Sequence, residues 1–332
     1  MLDAIKTKFD ASFSGEEIAS IYSIFKCLAS YPTSNPNADA FSQELPMRYL
    51  QSLKLLTHPT LHPDLKTKLQ PLVDRYLFDI NLLSEIPNHA QVPVAFNDCI
   101  RKLHLRHVET SSLFSSLYFQ NHSLLTQTFY KQFYGVNISS RFLMEEHLSL
   151  VDQGKNLVTL IDPIQLSIDV CTDLRNDYIK KGIDVPEIHI LNVCEGKNET
   201  LYVQHYLKFI LSNLLNHSMA TGLKTQKALQ PIILEVVTGE EDTSFHISDE
   251  FGGLSLSNQS QSFWKLKDQS QENLFQSKLL SNYFGGDIEM ISMEGFGNDS
   301  YLHLYKNGSL EHFPQDANDG ESDWFIKLLK DL

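Results

Sequence analysis

Apolar residues follow a helical spacing through the first half of the chain, up to about residue 150. This spacing predicts amphipathic helices that each turn one face toward a shared core. Polar loops between the blocks, such as the Pro-, Ser- and Asn-rich stretch 31–39, favour antiparallel neighbours. We therefore expect an antiparallel bundle of about four long helices. The helical blocks start near residue 18 and continue with 45–56, 65–83, 94–118 and 124–151, and Pro46 falls in the first turn of its helix.

After Gly154 the pattern changes to short alternating segments mixed with helices. Alternation of apolar and polar residues predicts half-buried strands, and this order of elements favours one sheet with helices on one face. The predicted strands are 157–161, 187–193, 200–203, 232–237, 244–248, 287–292 and 300–305, and the predicted helices are 164–181, 206–221 and 274–283. We expect a helical domain at 1–154, a mixed domain at 155–306 and a polar tail at 307–332.

Composition narrows the range of partners. The formal net charge is −14, which argues against nucleic acid as a main partner because phosphate contacts need clustered Lys and Arg. The four cysteines stand far apart, so the sequence indicates neither a zinc site nor a disulfide framework. No apolar run is long enough to predict a membrane span, and the N-terminus lacks the Arg-rich pattern of a transit peptide.

A series of short motifs along the chain points to one protein family. Gln43-Glu-Leu-Pro-Met-Arg48 opens a helix, and Ser292-Met-Glu-Gly-Phe-Gly297 forms a glycine box near the end of the mixed domain. With these motifs in order, the chain resembles the mitochondrial pyruvate dehydrogenase kinase and branched-chain ketoacid dehydrogenase kinase family. The other matching segments are Arg106-His107, Ile138–His147, Ile161-Asp162-Pro163, Tyr202-Val203 and Asp323-Trp324.

The resemblance implies a fold and a set of partners. The fold is an N-terminal four-helix bundle followed by an α/β sandwich of the Bergerat type, which histidine kinases, type II topoisomerases and heat-shock chaperones share. The resemblance implies ATP and Mg²⁺ as cofactors and the E1 subunit of a 2-oxoacid dehydrogenase complex as the protein substrate. It also implies docking on the lipoyl domain of the E2 subunit, a homo- or heterodimer, and a location in the mitochondrial matrix.

One helix of this family carries a Glu-x-x-x-Asn pattern, whose spacing puts both side chains on one face. The Glu handles the substrate hydroxyl and the Asn holds magnesium. Here the apolar face of helix 206–221 sets a register in which Asn213 replaces the Glu and His217 replaces the Asn. An amide does not accept a proton at neutral pH, and magnesium prefers oxygen ligands to imidazole. Two alternatives stay open: a one-residue shift that puts Asn216 at the metal position, and a His217 with no metal role.

The adenine-reading loop of the family, Asp-x-Gly-x-Gly, corresponds here to the segment from Asp249 to Gly253. Asp249 could accept a hydrogen bond from an adenine amino group, or it could cap a turn at the end of a strand. Phe251 replaces the first glycine, which would allow a close approach of the backbone. Its ring either fills the adenine pocket, turns outward or enters the core. Asn298 stands where the family has a Thr that reaches the phosphates, and it could partly substitute.

Three further positions bear on phosphate binding and docking. The segment 269–275, which aligns with a glycine-rich lid in the family, has no glycine and adds the charge of Glu272. His147 matches a family histidine that helps to organise the catalytic Glu, and its alternative is a hydrogen-bonded residue between the two domains. Asp323 and Trp324 match a C-terminal pair that docks on the dimer partner, and packing on the same subunit is the alternative.

These features leave three hypotheses about function. The first, which the altered motifs favour, is a pseudokinase that binds or regulates the 2-oxoacid dehydrogenase complex or an active kinase partner. The second is an active protein-serine kinase that phosphorylates the E1 subunit of pyruvate dehydrogenase with ATP. The third is a nucleotide-sensing module that does not transfer phosphate.

Overall fold

The computed structural model describes residues 38–58, 60–85, 93–194, 199–225, 230–253, 264–266 and 269–305. The chain divides into two compact units, with the boundary between residues 157 and 158. A helical unit comes first and a unit of mixed helices and strands follows, so the predicted fold class is confirmed. The helix predicted near residue 18 and the pair Asp323 and Trp324 lie outside the described residues.

Four long helices form the first unit. Each helix packs on the next one along the chain, and the last also packs on the first, which closes the bundle. The inward faces carry large side chains that are fully or almost fully buried, among them Leu53, Leu69, Leu103, Phe114 and Phe133. The helices are α1 (Ala38–Leu56), α2 (Pro63–Glu85), α3 (Pro93–Gln120) and α4 (Gln127–Gln153).

The start of α1 differs from the prediction. The helix begins at Ala38, inside the stretch predicted as a loop, so Pro46 lies in the helix interior and not in its first turn. A proline there removes one backbone hydrogen bond. Packing compensates: Nε of Arg48 bonds Glu44 at 2.9 Å across the proline, and the same guanidinium donates to the carbonyl of Ser139 on α4. Tertiary contacts thus outweigh the local sequence signal.

The second unit contains three helices and two sheets. Its helices are α5 (Pro163–Lys180), α6 (Gln204–Thr225) and α7 (Glu272–Tyr283). α6 lies between the other two and contacts both of them. Its strands are β1 (Val158–Ile161), β2 (Ile188–Cys194), β3 (Thr200–Val203), β4 (Ile232–Thr238), β5 (Asp242–Asp249), β6 (Asp287–Met293) and β7 (Gly297–Tyr305).

The larger sheet has five strands in the order β2-β4-β5-β7-β6, and only the β2–β4 pair is parallel. Along β4, Ile232, Leu234 and Val236 are fully buried, whereas Ile233 is 39% exposed. One face of the sheet is therefore covered by the helices, as the alternation predicted. The prediction of a single sheet was wrong, because β1 and β3 pair with each other in a separate two-stranded sheet.

Two chemical properties of the described residues bear on the sequence analysis. Cys99 and Cys171 are buried free thiols, and burial raises the pKa of each to about 11. Such thiols are unreactive at neutral pH. None of the described helices is long and apolar enough to cross a membrane.

Candidate functional site

One end of the candidate site is a buried pair of a carboxylate and an amide. Asp249 ends β5, Asn298 is the second residue of β7, and the two lie opposite each other in the antiparallel register. Each is 3% exposed. Nδ2 of Asn298 donates to Oδ1 of Asp249 at 3.2 Å and to Oδ2 at 3.4 Å, and its backbone N–H donates to Oδ1 at 3.3 Å. The carboxylate that was expected to read adenine is therefore bonded within the protein.

The orientation of the Asn298 amide is fixed by a third residue. The hydroxyl of Ser292 on β6 donates to Oδ1 of Asn298 at 2.7 Å. With its oxygen engaged in this way, the amide presents its nitrogen to Asp249. The Asn298 side chain thus connects β7 to β6 and to the end of β5.

Phe251 lies beside this pair and points into the helical layer. Its side chain is 0% exposed, which excludes the outward orientation. The ring lies against Gly222 on α6, where an added Cβ would come within 2.8 Å of the ring Cζ. The backbone N–H of Phe251 donates to Oδ1 of Asp249 at 3.2 Å, so Asp249 does cap the turn after β5. The aromatic ring thus occupies the space that the glycine at position 222 leaves open.

The glycines after Phe251 are needed by the backbone itself. Gly253 has φ +62°, and a Cβ there would overlap the carbonyl oxygen of Met293. The N–H of Gly252 donates to the carbonyl of Phe296 at 3.0 Å, and the N–H of Gly295 donates to that of Gly252 at 2.8 Å. The adenine-loop segment and the glycine box therefore pack on each other through their main chains. Gly253, expected to bind a nucleotide, already has this structural role.

On α6, the residue at the expected position of the catalytic Glu contacts the neighbouring helix. Nδ2 of Asn213 donates to Oγ of Ser277 on α7 at 3.0 Å, and Ser277 is fully buried. Ser277 in turn donates to the carbonyl of Asn273 at 2.8 Å. Asn213 therefore joins α6 to α7 through a buried hydroxyl.

The next turn of α6 carries the two candidates for the expected metal position, His217 and Asn216. Burial lowers the pKa of His217, and the negative charge of Asp249 opposes this effect, so these two residues interact electrostatically. Asn216 is exposed, and its Oδ1 accepts a hydrogen bond from the hydroxyl of Tyr178 on α5 at 2.5 Å. His217 thus interacts with Asp249 and Asn216 with α5, and the choice between the two registers stays a prediction.

The described residues offer a poor setting for magnesium. They contain no cluster of three or more His, Cys, Asp and Glu side chains that could hold a metal ion. Magnesium takes oxygen ligands in an octahedral arrangement, and at the expected metal position α6 presents the imidazole of His217. The residues present therefore do not fit the metal that the resemblance implies.

The lid region is only partly within the described residues. Residues 269–271 form one turn of 3₁₀ helix ahead of α7, while 254–263 lie outside the described part. Glu272 is buried in the first turn of α7, and its Oε1 accepts from Nε2 of Gln276 at 3.0 Å. A carboxylate in the first turn satisfies the positive end of the helix dipole, which leaves less attraction for phosphate. Trp264 packs under Nζ of Lys278, 4.6 Å from the ring centre, as a packing residue would.

His147 lies in the other unit. It is buried on α4, and its Nε2 is 2.9 Å from Oδ1 of Asn97 on α3. The ring of Phe96 meets the imidazole edge-on with 5.6 Å between ring centres. Both of these contacts lie within the bundle, and neither a catalytic role nor a place between the two domains is tested by them.

Comparisons with known proteins find sequence similarity to one family of kinases. Residues 27–179 match a family model described as mitochondrial branched-chain alpha-ketoacid dehydrogenase kinase. A mitochondrial pyruvate dehydrogenase (acetyl-transferring) kinase of Arabidopsis thaliana is 26% identical over 212 residues, which cover 54% of this chain and 57% of that protein. This chain is similar in sequence to these mitochondrial kinases.

Other kinases of this kind match over similar lengths. The enzyme of Schizosaccharomyces pombe is 29% identical over 214 residues, with 54% of this chain and 50% of that protein covered. Isozyme 4 of the pyruvate dehydrogenase (acetyl-transferring) kinase of Mus musculus is 28% identical over 225 residues, which cover 57% of this chain and 54% of that protein. The matches thus span about half of the length of the curated relatives. The solved catalytic domain of the histidine kinase ThkA aligns at 12% identity over 45% of this chain and 95% of that domain. The TM-score of 0.36 is too low to support a conclusion about the fold.

The sequence singled out Asn213 and Phe251, but it did not identify the residues that these two side chains contact. Gly222 and Ser277 were not singled out, yet they receive Phe251 and Asn213. The signal for Gly222 was available, since an isolated glycine in an apolar helix often marks a close packing contact. Ser277 gave no such signal, because a serine on a helix has many uses.

Proposed function

We propose that this chain is a pseudokinase of the mitochondrial 2-oxoacid dehydrogenase kinase type, which binds partners and does not transfer phosphate. The observation that carries this proposal is the ring of Phe251, 0% exposed and packed on Gly222 of α6. In the family alignment this is the place of a glycine at which the base of the nucleotide approaches the backbone. A purine could bind there only if it displaced an aromatic side chain from the core.

The hydrogen bonds of Asp249 support the same proposal. Its carboxylate accepts from the Phe251 N–H, the Asn298 N–H and the Asn298 side chain, and it is buried with them. A nucleotide would have to compete with bonds that are already made inside the protein. Exchange of satisfied buried hydrogen bonds for others yields little net free energy.

The chemical step lacks its usual groups as well. Phosphoryl transfer needs donors that cradle the phosphates, a metal between them, and a group that orients or deprotonates the nucleophile. Asn213 cannot act as a general base, and loss of that help typically lowers a rate by about 10²–10⁴-fold. The amide is also held by Ser277. We assign no step to a metal ion, because the imidazole of His217, at the expected metal position, does not match the oxygen ligands of magnesium.

A binding role is consistent with the closed packing of the helical bundle. Its four helices close on one another, and the motif residues Arg48, His107 and His147 each make a hydrogen bond within it. We propose the partners from the relatives, which are named as mitochondrial kinases of pyruvate dehydrogenase. The candidates are the lipoyl domain of E2 or the E1 subunit of that complex, or a kinase subunit in a homo- or heterodimer within the mitochondrion.

The proposal is tested by two assays on the full chain. The first measures phosphate incorporation into purified E1 from ATP and magnesium, with an active kinase of the family as the positive control. The second measures binding to the assembled dehydrogenase complex by co-sedimentation. We expect no incorporation above background and saturable co-sedimentation.

Each result has an opposite that contradicts the proposal. Incorporation into E1 that disappears in Asp249→Asn would establish the alternative of an active kinase, since Asp249 would then be in use. Absence of both incorporation and co-sedimentation, with the active kinase positive in both assays, would overturn the binding role.

A further inference from the structure

The end of the bundle contains a buried carboxyl group that no proposed function uses. Glu146 lies on α4 and is 3% exposed. Its Oε2 accepts a hydrogen bond from the backbone N–H of Leu157 at 2.7 Å. Its Oε1 is buried and has no hydrogen-bond partner in the described part of the chain. A buried carboxylate with one donor is poorly compensated for its lost hydration.

Glu146 contacts the segment in which the chain leaves the bundle. α4 ends at Gln153, and Gly154 closes it in a left-handed conformation with its N–H on the carbonyl of Leu150 at 3.1 Å. Residues 155–157 then run back along α4 to β1, which begins at Val158. The hydroxyl of Ser149 donates to the carbonyl of Lys155 at 2.8 Å. The bonds of Ser149 and Glu146 therefore hold this exit segment, residues 155–157, on α4.

The charged groups around this end of the bundle have other partners. On α4 itself, Nε of Arg141 bonds Glu145 at 2.7 Å, and His104 of α3 bonds the same carboxylate at 3.1 Å. Arg101 of α3 pairs with Asp98 at 2.8 Å and also with Asp152 of α4.

Two further groups, on α1 and on α4, are engaged as well. Arg48 of α1 pairs with Glu44 at 2.9 Å, and His147 of α4 bonds Asn97 at 2.9 Å. Lys155 in the exit segment itself is exposed. Among the described residues, Glu146 takes part in no ion pair, so no cation compensates a negative charge at this position.

We propose that Glu146 is a proton-controlled latch, which holds the exit segment on α4 while its carboxyl group is protonated and releases the segment when the proton is lost. In the latched state the carboxyl is buried and accepts its hydrogen bond from Leu157 of the exit segment. Loss of the proton creates an unpaired charge there, and separation of residues 155–157 from α4 lets water reach that charge. The latch thus follows from the burial and from the single hydrogen bond.

Burial sets the direction of the pH effect. It raises the pKa of Glu146 to about 7, and the Leu157 N–H opposes this rise without cancelling it. A group whose pKa is higher in the latched state stabilises that state at low pH. This contribution is lost as the pH rises from the ordinary glutamate pKa, about 4.3, through about 7. The latch is therefore closed in acid and weakened at neutral and alkaline pH.

The test is hydrogen exchange of the Leu157 amide in the full chain between pH 5 and pH 8. We expect its protection factor, which already removes the intrinsic pH dependence of exchange, to fall by up to about tenfold per pH unit below pH 7 and to level off above it. Glu146→Gln keeps an acceptor for Leu157 but cannot ionise, so its protection factor should stay constant. Asp152→Asn removes an exposed carboxylate from the same helix and should leave the wild-type profile unchanged.

A second measurement does not depend on any variant. The carboxyl carbon of Glu146 in the wild-type chain, followed by NMR, should titrate with a midpoint near 7. A midpoint at the ordinary glutamate pKa would overturn the proposal, and so would a protection profile in Glu146→Gln that falls like that of the wild type.

Discussion

The two units use their motif residues in different ways. In the bundle, Arg48 pairs with Glu44 and His107 bonds the carbonyl of Asn137 at 3.0 Å, so these side chains connect one helix to another or to itself. In the mixed unit, Asp249 is bonded to Asn298, and Phe251 is packed on α6. The family model matches residues 27–179, which include the whole described bundle. Under the proposed function, the mixed unit has filled its nucleotide site with its own side chains.

If the proposed function holds, this difference teaches how a binding site can be lost without loss of the fold. A pocket for a ligand leaves polar groups and apolar surface that are not satisfied by the protein. When the ligand is no longer bound, substitutions that satisfy these groups internally add stability. In this chain Phe251 and Asn298 are among the most buried residues of the mixed unit, and changes there should affect stability before they affect any activity.

The largest effect is expected from Phe251→Ala. Removal of a fully buried ring leaves a cavity beside Gly222, and such changes typically destabilise by about 3–5 kcal/mol. Urea denaturation, followed by a signal from the mixed unit, should show the lower free energy of unfolding as a lower midpoint concentration of urea. Phe296→Ala is the matched control, because Phe296 is 74% exposed and its removal should change the free energy of unfolding by less than about 0.5 kcal/mol. Equal effects of the two variants would show that Phe251 does not pack as described.

The next effect concerns the bundle. Arg48→Ala should lower the free energy of unfolding by about 3 kcal/mol, because it leaves Glu44 and the Ser139 carbonyl without their donor in a buried setting. Chemical denaturation monitored by circular dichroism measures the change. Arg75→Ala removes a more exposed pair with Glu109 and should cost less than about 1 kcal/mol. If both variants behave alike, the Arg48 contacts do not stabilise the bundle.

A pH effect of about 2–3 kcal/mol should come from His107. Burial lowers its pKa to about 4, so the folded bundle holds this imidazole neutral. The unfolded chain takes up the proton below about 6.5, and stability is therefore lost as the pH falls from that value toward 4. Unfolding at pH 7 and pH 4.5 measures the loss. His107→Gln should show a smaller difference between the two pH values, and an unchanged difference would refute the assignment to His107.

The smallest effect tests the contact between Phe251 and Gly222. Gly222→Ala places a methyl group against the ring and should destabilise by about 2 kcal/mol. In the Phe251→Ala background the same change should become stabilising by up to about 1 kcal/mol, because alanine has the higher helix propensity. A double-mutant cycle of unfolding free energies isolates this coupling. An unchanged effect of Gly222→Ala in the two backgrounds would mean that the residues do not touch.

Much of the fold could be predicted from the sequence, because the apolar spacing differs between the two parts of the chain. All described helices and strands were anticipated within a few residues except at the start of α1, where packing of Arg48 extends the helix past Pro46. The separate pairing of β1 with β3 was not predicted, since alternation does not say which strands are neighbours.

The candidate site shows a sharper limit. The residue types at 213, 217, 249, 251 and 298 could be read directly. Their partners could not, because Asn213 and Ser277 are 64 positions apart and the direction of the Phe251 ring depends on a glycine in another element. Local sequence patterns do not predict such contacts. These contacts decide whether a changed motif leaves an open pocket or a filled one.

The most direct measurement is calorimetric titration of the full chain with ATP and magnesium. The filled site predicts no saturable heat up to about 1 mM nucleotide, which corresponds to a binding free energy weaker than about −4 kcal/mol. Saturable binding in the micromolar range that Asp249→Asn weakens at least about tenfold, a loss of about 1.4 kcal/mol, would contradict it, because the carboxylate would then be reading the base of a bound nucleotide.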